Sequence, residues 1–165
     1  MKLVLNWAKD RIPPNDTIRA AAFLGDGISD LSRAAEATGF YCDWKLVSGN
    51  NDYGYSIPET IVFEFEENRF FMCHGHRYSL YGNYDRLIAA ARNNEPNVIL
   101  FGHTHVPSYK KADGMILVNP GSVGNPRSRI GASFAVIECM PGELPAVEFW
   151  GIGERGNITK LKVQD

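Results

Sequence analysis

Four short apolar segments of this chain each end in a polar motif, and this arrangement constrains the fold more than any other feature. The segments are 18–24, 42–47, 70–73 and 98–101, and the motifs after them contain Asp26, Asn50, His74 with His76, and His103 with His105. Apolar runs of this length are typical of buried strands. In open α/β sheets, ligands bind beyond the carboxyl ends of the strands, so the sequence predicts one site at that edge.

The rest of the chain predicts helices and hairpins around such a sheet. The predicted helices are Met1–Ile12, which ends at Pro13-Pro14, a segment capped by Ser29-Asp30 that reaches Thr38, and Tyr84–Arg92. The predicted later strands are the hairpins Thr60–Glu66 with Arg69–Cys73 and Ser108–Val118, then Phe134–Glu138 and Val147–Trp150. Neither a repeat nor a linker interrupts this pattern, so we expect a single α/β domain over residues 1–165.

The composition argues against nucleic-acid and membrane partners. The net charge of -2 provides no broad positive field, so the sequence carries no strong nucleic-acid signal. Because the chain contains no apolar run of membrane-spanning length, we expect no membrane association. The three cysteines, Cys42, Cys73 and Cys139, show no CxxC spacing and predict reduced thiols in a cytoplasmic protein.

The four histidines of the chain fall into two pairs, His74-Gly-His76 and His103-Thr-His105. Residues two apart in extended chain point to the same side, so each pair can project towards one locus. Imidazole is the commonest metal ligand in proteins. Grouping by chance is the alternative, but two pairs at strand exits with no histidine elsewhere favour metal binding.

Asp26 and Asn50 supply the oxygen ligands that such a site needs. A carboxylate can bridge two cations, and an amide oxygen adds a ligand without adding charge. Gly-Asp and Gly-Asn are also common turn dipeptides, and each one alone would be explained that way. Their position beyond buried strands, together with the histidine pairs, favours the ligand interpretation.

Five motifs together resemble the calcineurin-like metallophosphoesterase superfamily, in particular its small bacterial and archaeal phosphodiesterase branch, which includes the retromer scaffold subunit. The motifs are Leu24-Gly25-Asp26-Gly27, Gly49-Asn50-Asn51-Asp52, Cys73-His74-Gly75-His76, Gly102-His103-Thr104-His105 and Asn119-Pro120-Gly121-Ser122. The resemblance covers residues 18 to about 140. It implies an α/β fold of two packed mixed β-sheets flanked by helices.

The resemblance also implies a role for each matching residue. Asp26 would bridge two divalent metal ions, and His105 would bind the first. Asn50, His74 and His103 would complete the shell of the second metal, whose site is therefore the more complete of the two. Asn119 to Ser122 would close a structural loop. A ligand set of oxygen and imidazole without thiolate fits Mn²⁺ best, with Fe, Zn²⁺ or Ni²⁺ as alternatives.

Two positions depart from the family pattern. The Asp-x-His motif that normally follows the first strand is absent, and we expect the fold to lack that strand, either because the chain starts within the first helix or because the site is degenerate. Asn51 stands where relatives often carry histidine, and a neutral amide cannot protonate a leaving group. His76 is the candidate substitute, with hydrogen bonding behind the ligands as its alternative role.

The expected function is hydrolysis of small phosphodiesters by a metal-bridging hydroxide, with Asn50 and His76 as the catalytic candidates. The alternative is an impaired member of the family that acts as a protein-binding scaffold. Five tyrosines could form a surface that binds a partner protein, a homo-oligomer interface or the mouth of a substrate site. The favoured interpretation is a mixture of rim, loop and core residues. The five are Tyr53, Tyr55, Tyr78, Tyr81 and Tyr84. A nuclease and a structural zinc domain are both disfavoured, because the chain has neither a basic stripe nor zinc knuckles.

Overall fold

The computed structural model describes residues 1–11 and 20–163, which form three helices and ten strands. In chain order these are α1 (Lys2–Arg11), β1 (Ala20–Phe23), α2 (Ile28–Thr38), β2 (Asp43–Leu46), β3 (Thr60–Phe65), β4 (Asn68–Cys73), α3 (Asp85–Arg92), β5 (Val98–Leu100), β6 (Ser108–Ala112), β7 (Met115–Asn119), β8 (Ala132–Glu138), β9 (Ala146–Ile152) and β10 (Ile158–Leu161). Within the described ranges, every helix is too short or too polar to cross a bilayer.

A five-stranded sheet in the order β3-β4-β5-β7-β6 carries the core. Its middle strands β4, β5 and β7 are parallel, and the outer strands β3 and β6 are antiparallel to their neighbours. The middle strands are apolar on both faces because both faces are covered. Leu87 of α3 packs in the cluster on one face, and Phe149 of β9 packs in the cluster on the other.

The second layer is the antiparallel sheet β10-β9-β8, and β1 forms a parallel pair with β2. Helix α1 covers this layer, since the Trp7 ring lies 5.0 Å from that of Phe134 and 4.9 Å from that of Trp150. Leu5 of the same helix packs with Ala34 of α2. The predicted architecture of two packed mixed sheets flanked by helices is therefore confirmed.

Three local predictions need correction. Strand β1 is only half-buried and Ala22 is exposed, because β2 is the one described strand that pairs with β1. Helix α2 begins at Ile28 with Gly27 as its N-cap, not at Ser29-Asp30. Strand β10 was not predicted, because its sequence mixes charged and apolar residues and is mostly exposed. The predicted end of α1 at Pro13-Pro14 lies outside the described residues.

The N-terminus of α2 is capped by a carboxylate from another loop. Asp52, which follows β2, accepts hydrogen bonds from the backbone N–H groups of Asp26 (2.6 Å), Gly27 (2.8 Å) and Ile28 (3.2 Å). It also accepts one from the N–H of Gly49 in its own loop (2.8 Å). One side chain therefore accepts the backbone donors at and just before the start of the helix, and it joins the β1 and β2 exit loops.

We predict that Asp52→Ala lowers the free energy of unfolding by about 2–3 kcal/mol, because it leaves several part-buried N–H groups without an acceptor. Asp30→Ala is the matched control, since Asp30 lies in the first turn of the same helix but pairs only with the exposed Arg33. Its expected cost is below about 0.5 kcal/mol. Urea unfolding of both variants measures the difference, and equal costs would contradict the role given to Asp52.

Candidate functional site

The loops that leave β1, β2, β4 and β5 meet at one end of the molecule. Gly102 after β5 donates its backbone N–H to the carbonyl of His74 after β4 (2.9 Å). The loops after β1 and β2 approach so closely that a Cβ at Gly25 would lie 2.4 Å from the nitrogen of Gly49. A Cβ at Gly49 would in turn lie 2.1 Å from the Asp26 carboxylate. Only glycine fits at both positions, and this contact places Asp26 beside the β2 exit.

His74 is the most buried member of the site, with 2% of its surface exposed. Its Nδ1 lies 2.5 Å from the carbonyl oxygen of Leu24, an acceptor, so Nδ1 carries the proton. Its Nε2 is then unprotonated. That atom is buried, has no hydrogen-bond partner among the described residues, and lies 3.5 Å from an Asp26 carboxylate oxygen. The fold therefore aims a free nitrogen lone pair at a carboxylate.

Asp26 is also held by Asn51. One carboxylate oxygen accepts the backbone N–H of Asn51 (2.8 Å), and the other accepts the Asn51 side-chain amide (2.7 Å). Asp26 adopts a positive φ of 64°, a conformation that is uncommon for residues other than glycine. These contacts fix both the backbone and the carboxylate of Asp26.

Three of the predicted histidines form a cluster. The ring of His74 lies 5.2 Å from that of His103 and 5.5 Å from that of His76. The rings of His76 and His103 are 6.2 Å apart, and the buried Nδ1 of His76 has no hydrogen-bond partner among the described residues. His103 and His105 both have positive φ, of 65° and 59°. Strain of this kind concentrates at functional sites.

Asn119 and the loop after it hold the second histidine pair in place. The fully buried Asn119 donates its amide to the carbonyl of Gly102 (2.9 Å) and to the hydroxyl of Thr104 (3.0 Å). His105 Nδ1 lies 2.6 Å from the carbonyl oxygen of Asn125, and this contact ties the His105 loop to the segment that follows β7. The strained backbone of this loop is therefore supported from two directions.

Asn50 lies in the loop after β2 and is exposed. It directly precedes Asn51, the residue of this loop that donates hydrogen bonds to the Asp26 carboxylate. The structure thus gathers Asp26, His74, His76 and His103 in direct proximity.

Burial sets the protonation of the cluster. It lowers the pKa of His74, although the Leu24 carbonyl and the Asp26 carboxylate act in the opposite direction. Burial also lowers the pKa of His103, and repulsion from His74 and from the Arg127 guanidinium adds to this effect. Both imidazoles are therefore neutral near pH 7, which is the form that binds metals.

Two residues of the site, Asp52 and Arg127, have no role predicted from the sequence. Burial tends to raise the pKa of Asp52, but its four backbone hydrogen bonds reverse this, so its pKa is lowered and it stays ionised. Arg127 donates its backbone N–H to the carbonyl of His105 (3.1 Å). Asp52 does lie in the glycine-asparagine motif, but nothing in that motif indicates partners in a distant loop.

The carboxylate and imidazole groups of the site are of the types that bind divalent cations, although they do not yet surround a single point. Among residues 1–11 and 20–163, no three histidine, cysteine, aspartate or glutamate side chains already converge to hold one ion. The fit rests on the free, buried Nε2 of His74 beside the Asp26 carboxylate. Cys73 is excluded as a ligand, because it packs in the core and burial raises the pKa of its thiol to about 12.

Curated relatives are similar to part of this chain. A probable metallophosphoesterase of Mycoplasma pneumoniae is 36% identical over 50% of this chain and 52% of its own length. YsnB of Bacillus subtilis, a probable metallophosphoesterase, is 26% identical over 65% of this chain and 63% of its own. The phosphodiesterase YfcE of Escherichia coli K12 is 34% identical over 72% of this chain and 60% of its own. The chain thus spans about half to under two thirds of these relatives.

Solved structures share the fold over nearly the whole chain. A conserved uncharacterized protein of Streptococcus pneumoniae TIGR4, a predicted phosphoesterase, matches with a TM-score of 0.72 and 25% identity, over 97% of this chain and 90% of that one. A Vps29 double mutant of Entamoeba histolytica matches with a TM-score of 0.77 and 17% identity, over 98% and 90%. The profile of the calcineurin-like phosphoesterase superfamily domain matches residues 13–142. With the family profile covering most of the sequence, this chain belongs to the calcineurin-like phosphoesterase superfamily.

Proposed function

We propose that this protein is a metal-dependent phosphodiesterase that acts on small phosphate esters. The observation that carries the proposal is the buried, unpartnered Nε2 of His74, aimed at the Asp26 carboxylate. A buried polar atom without a partner is costly, and a cation between the two groups would satisfy both. Relatives named phosphodiesterase and metallophosphoesterase support the same activity.

Asp26, Asn50, His74 and His103 would hold one divalent cation, and Asp26 with His105 would contribute to a second. Mn²⁺ is the ion that suits these ligands best. When bound, the cations would supply Lewis-acid activation of water and neutralise charge on the phosphate. Asn50, exposed at the β2 exit, would orient the phosphate with its side-chain amide.

Asn51 limits the leaving groups that the site can expel. Its backbone N–H and its side-chain amide both donate to Asp26, and a neutral amide is too weak an acid to protonate a leaving group. The protein would therefore favour esters whose leaving groups depart without protonation. His76, whose ring lies 6.2 Å from that of His103, is the titratable side chain that could relax this limit.

A scaffold without activity is the second candidate, and the structural likeness to Vps29 keeps it open. At 17% identity, that likeness concerns the fold alone. The buried, unpartnered Nε2 of His74 beside the Asp26 carboxylate favours the enzyme, because a scaffold has no use for such a pair.

We predict that Mn²⁺-dependent hydrolysis of bis-(p-nitrophenyl) phosphate falls at least about 100-fold in His103→Ala, because the variant removes a metal ligand. Bound Mn²⁺, measured by calorimetry, falls with it. Arg92→Ala is the control, since Arg92 ends α3 and pairs with Asp113 in the turn between β6 and β7. Turnover that is absent in the unmodified protein, or that is unchanged in His103→Ala, would contradict the proposal and favour the scaffold.

The leaving-group limit predicts a steep dependence of rate on the acidity of the alcohol released. In a series of methyl aryl phosphates from nitrophenyl to unsubstituted phenyl, kcat should drop sharply as the phenol becomes less acidic. Asn51→His restores an ionisable group and should flatten this dependence. Equal rates across the series for the unmodified protein would show that another residue already protonates the leaving group.

The neutral state of His74 predicts that acid destabilises the metal-free protein. The pKa of His74 in the folded protein lies below the ordinary 6.5. As the pH falls below 6.5, His74 therefore becomes protonated in the unfolded chain before it does in the folded chain. Stability is then full above pH 6.5 and falls as the pH decreases. Urea unfolding in EDTA at pH 7.5 and 5.5 measures the loss, which should be smaller in His74→Gln. An identical loss in the variant would mean that His74 titrates normally.

A further inference from the structure

Tyr81 stands out among the tyrosines between β4 and α3. Tyr78 and Tyr84 pack against the core, and the Tyr84 ring lies 5.4 Å from that of Phe101. Tyr81 is instead 74% exposed, and its ring centre lies 6.5 Å from that of His103. Among the described residues no hydrogen bond or ion pair engages it. Its exposed position contributes little to folding, so the fold does not account for it.

The backbone under Tyr81 is anchored, although the ring is free. Its neighbour Leu80 is 2% exposed and packs in the core cluster with Leu87. A Cβ at Gly75 would lie 2.6 Å from a methyl carbon of Leu80, so the two ends of the loop are in close contact. Gly82 donates its backbone N–H to the Leu80 carbonyl (3.1 Å). The ring is therefore presented from a fixed point at the rim of the histidine cluster.

The orientation of the ring leaves its face open. The planes of Tyr81 and His103 meet at 65°, so Tyr81 does not stack on the imidazole and does not cover it. A phosphate beside His103 would place a ring attached through a sugar or a short linker within reach of this face. Aromatic side chains next to a phosphate site commonly stack on bases, since every base offers a π-face.

We propose that Tyr81 is a substrate-binding residue that stacks on an aromatic ring, so that the substrates are phosphoesters carrying a nucleobase. The proposal rests on the proposed function in one respect, namely that phosphate occupies the histidine site. An exposed ring face and a single hydroxyl on Tyr81 do not distinguish one base from another. The subsite therefore selects for a base over none, with little choice among bases.

Adenosine 5'-monophosphate and ribose 5-phosphate form a matched pair of probes, because they differ only in the base. Calorimetry on the Mn²⁺-loaded protein should show adenosine 5'-monophosphate binding at least about 10-fold more tightly. Tyr81→Ala should remove this preference by weakening the nucleotide alone, and Tyr81→Phe should retain it. Tyr41→Ala is the control, since Tyr41 is 84% exposed but precedes β2, at the end opposite to the site.

The outcomes separate the subsite from the activity. Equal affinity of the unmodified protein for the two probes, no binding of the nucleotide, or a preference that survives Tyr81→Ala would each overturn the subsite. A Tyr81-dependent preference without hydrolysis of bis-(p-nitrophenyl) phosphate would support the subsite and refute the phosphodiesterase. Hydrolysis without the preference would support the phosphodiesterase and refute the subsite.

Discussion

The carboxylate of Asp52 organises the ligand loops of this protein. It accepts backbone N–H groups on both sides of the contact between the β1 and β2 exits, and it thereby fixes the backbone of Asp26. The contact itself is possible only because Gly25 and Gly49 lack side chains. The positions of the histidines follow from this contact. Asp26 faces His74, and the loop of His74 is hydrogen-bonded to the loop of His103.

The family resemblance was sufficient to predict the layers of the fold, and the apolar strands were sufficient to predict the edge at which the candidate ligands lie. The middle strands of the five-stranded sheet are apolar on both faces, and this pattern can be read from the sequence without knowing how individual side chains pack. The start of α2 and the burial of β1 were not predictable in the same way. Gly27 caps α2 where the Asp52 carboxylate arrives from the β2 exit loop, and β1 stays half-exposed because a single described strand pairs with it.

The candidate ligands could be predicted from spacing, but their chemical state could not. Histidine pairs after apolar strands indicate where side chains gather, whereas the tautomer of His74 depends on the carbonyl of Leu24 in another strand exit. The contact of His105 Nδ1 with the carbonyl of Asn125 is equally remote from its own motif. Tertiary hydrogen bonds of this kind decide which nitrogen is available, and no local pattern encodes them.

The charge balance of the site is the physical argument for the proposed cation. Asp26 brings a negative charge next to His74, and protonation of that imidazole would be the simplest way to neutralise it. Burial opposes this protonation more strongly than Asp26 favours it, so the pKa of His74 is lowered. Asn51 offers Asp26 two hydrogen bonds but no charge. A divalent cation can share the carboxylate and the free nitrogen at once, and it is therefore the occupant that compensates the charge without protonating a buried ring.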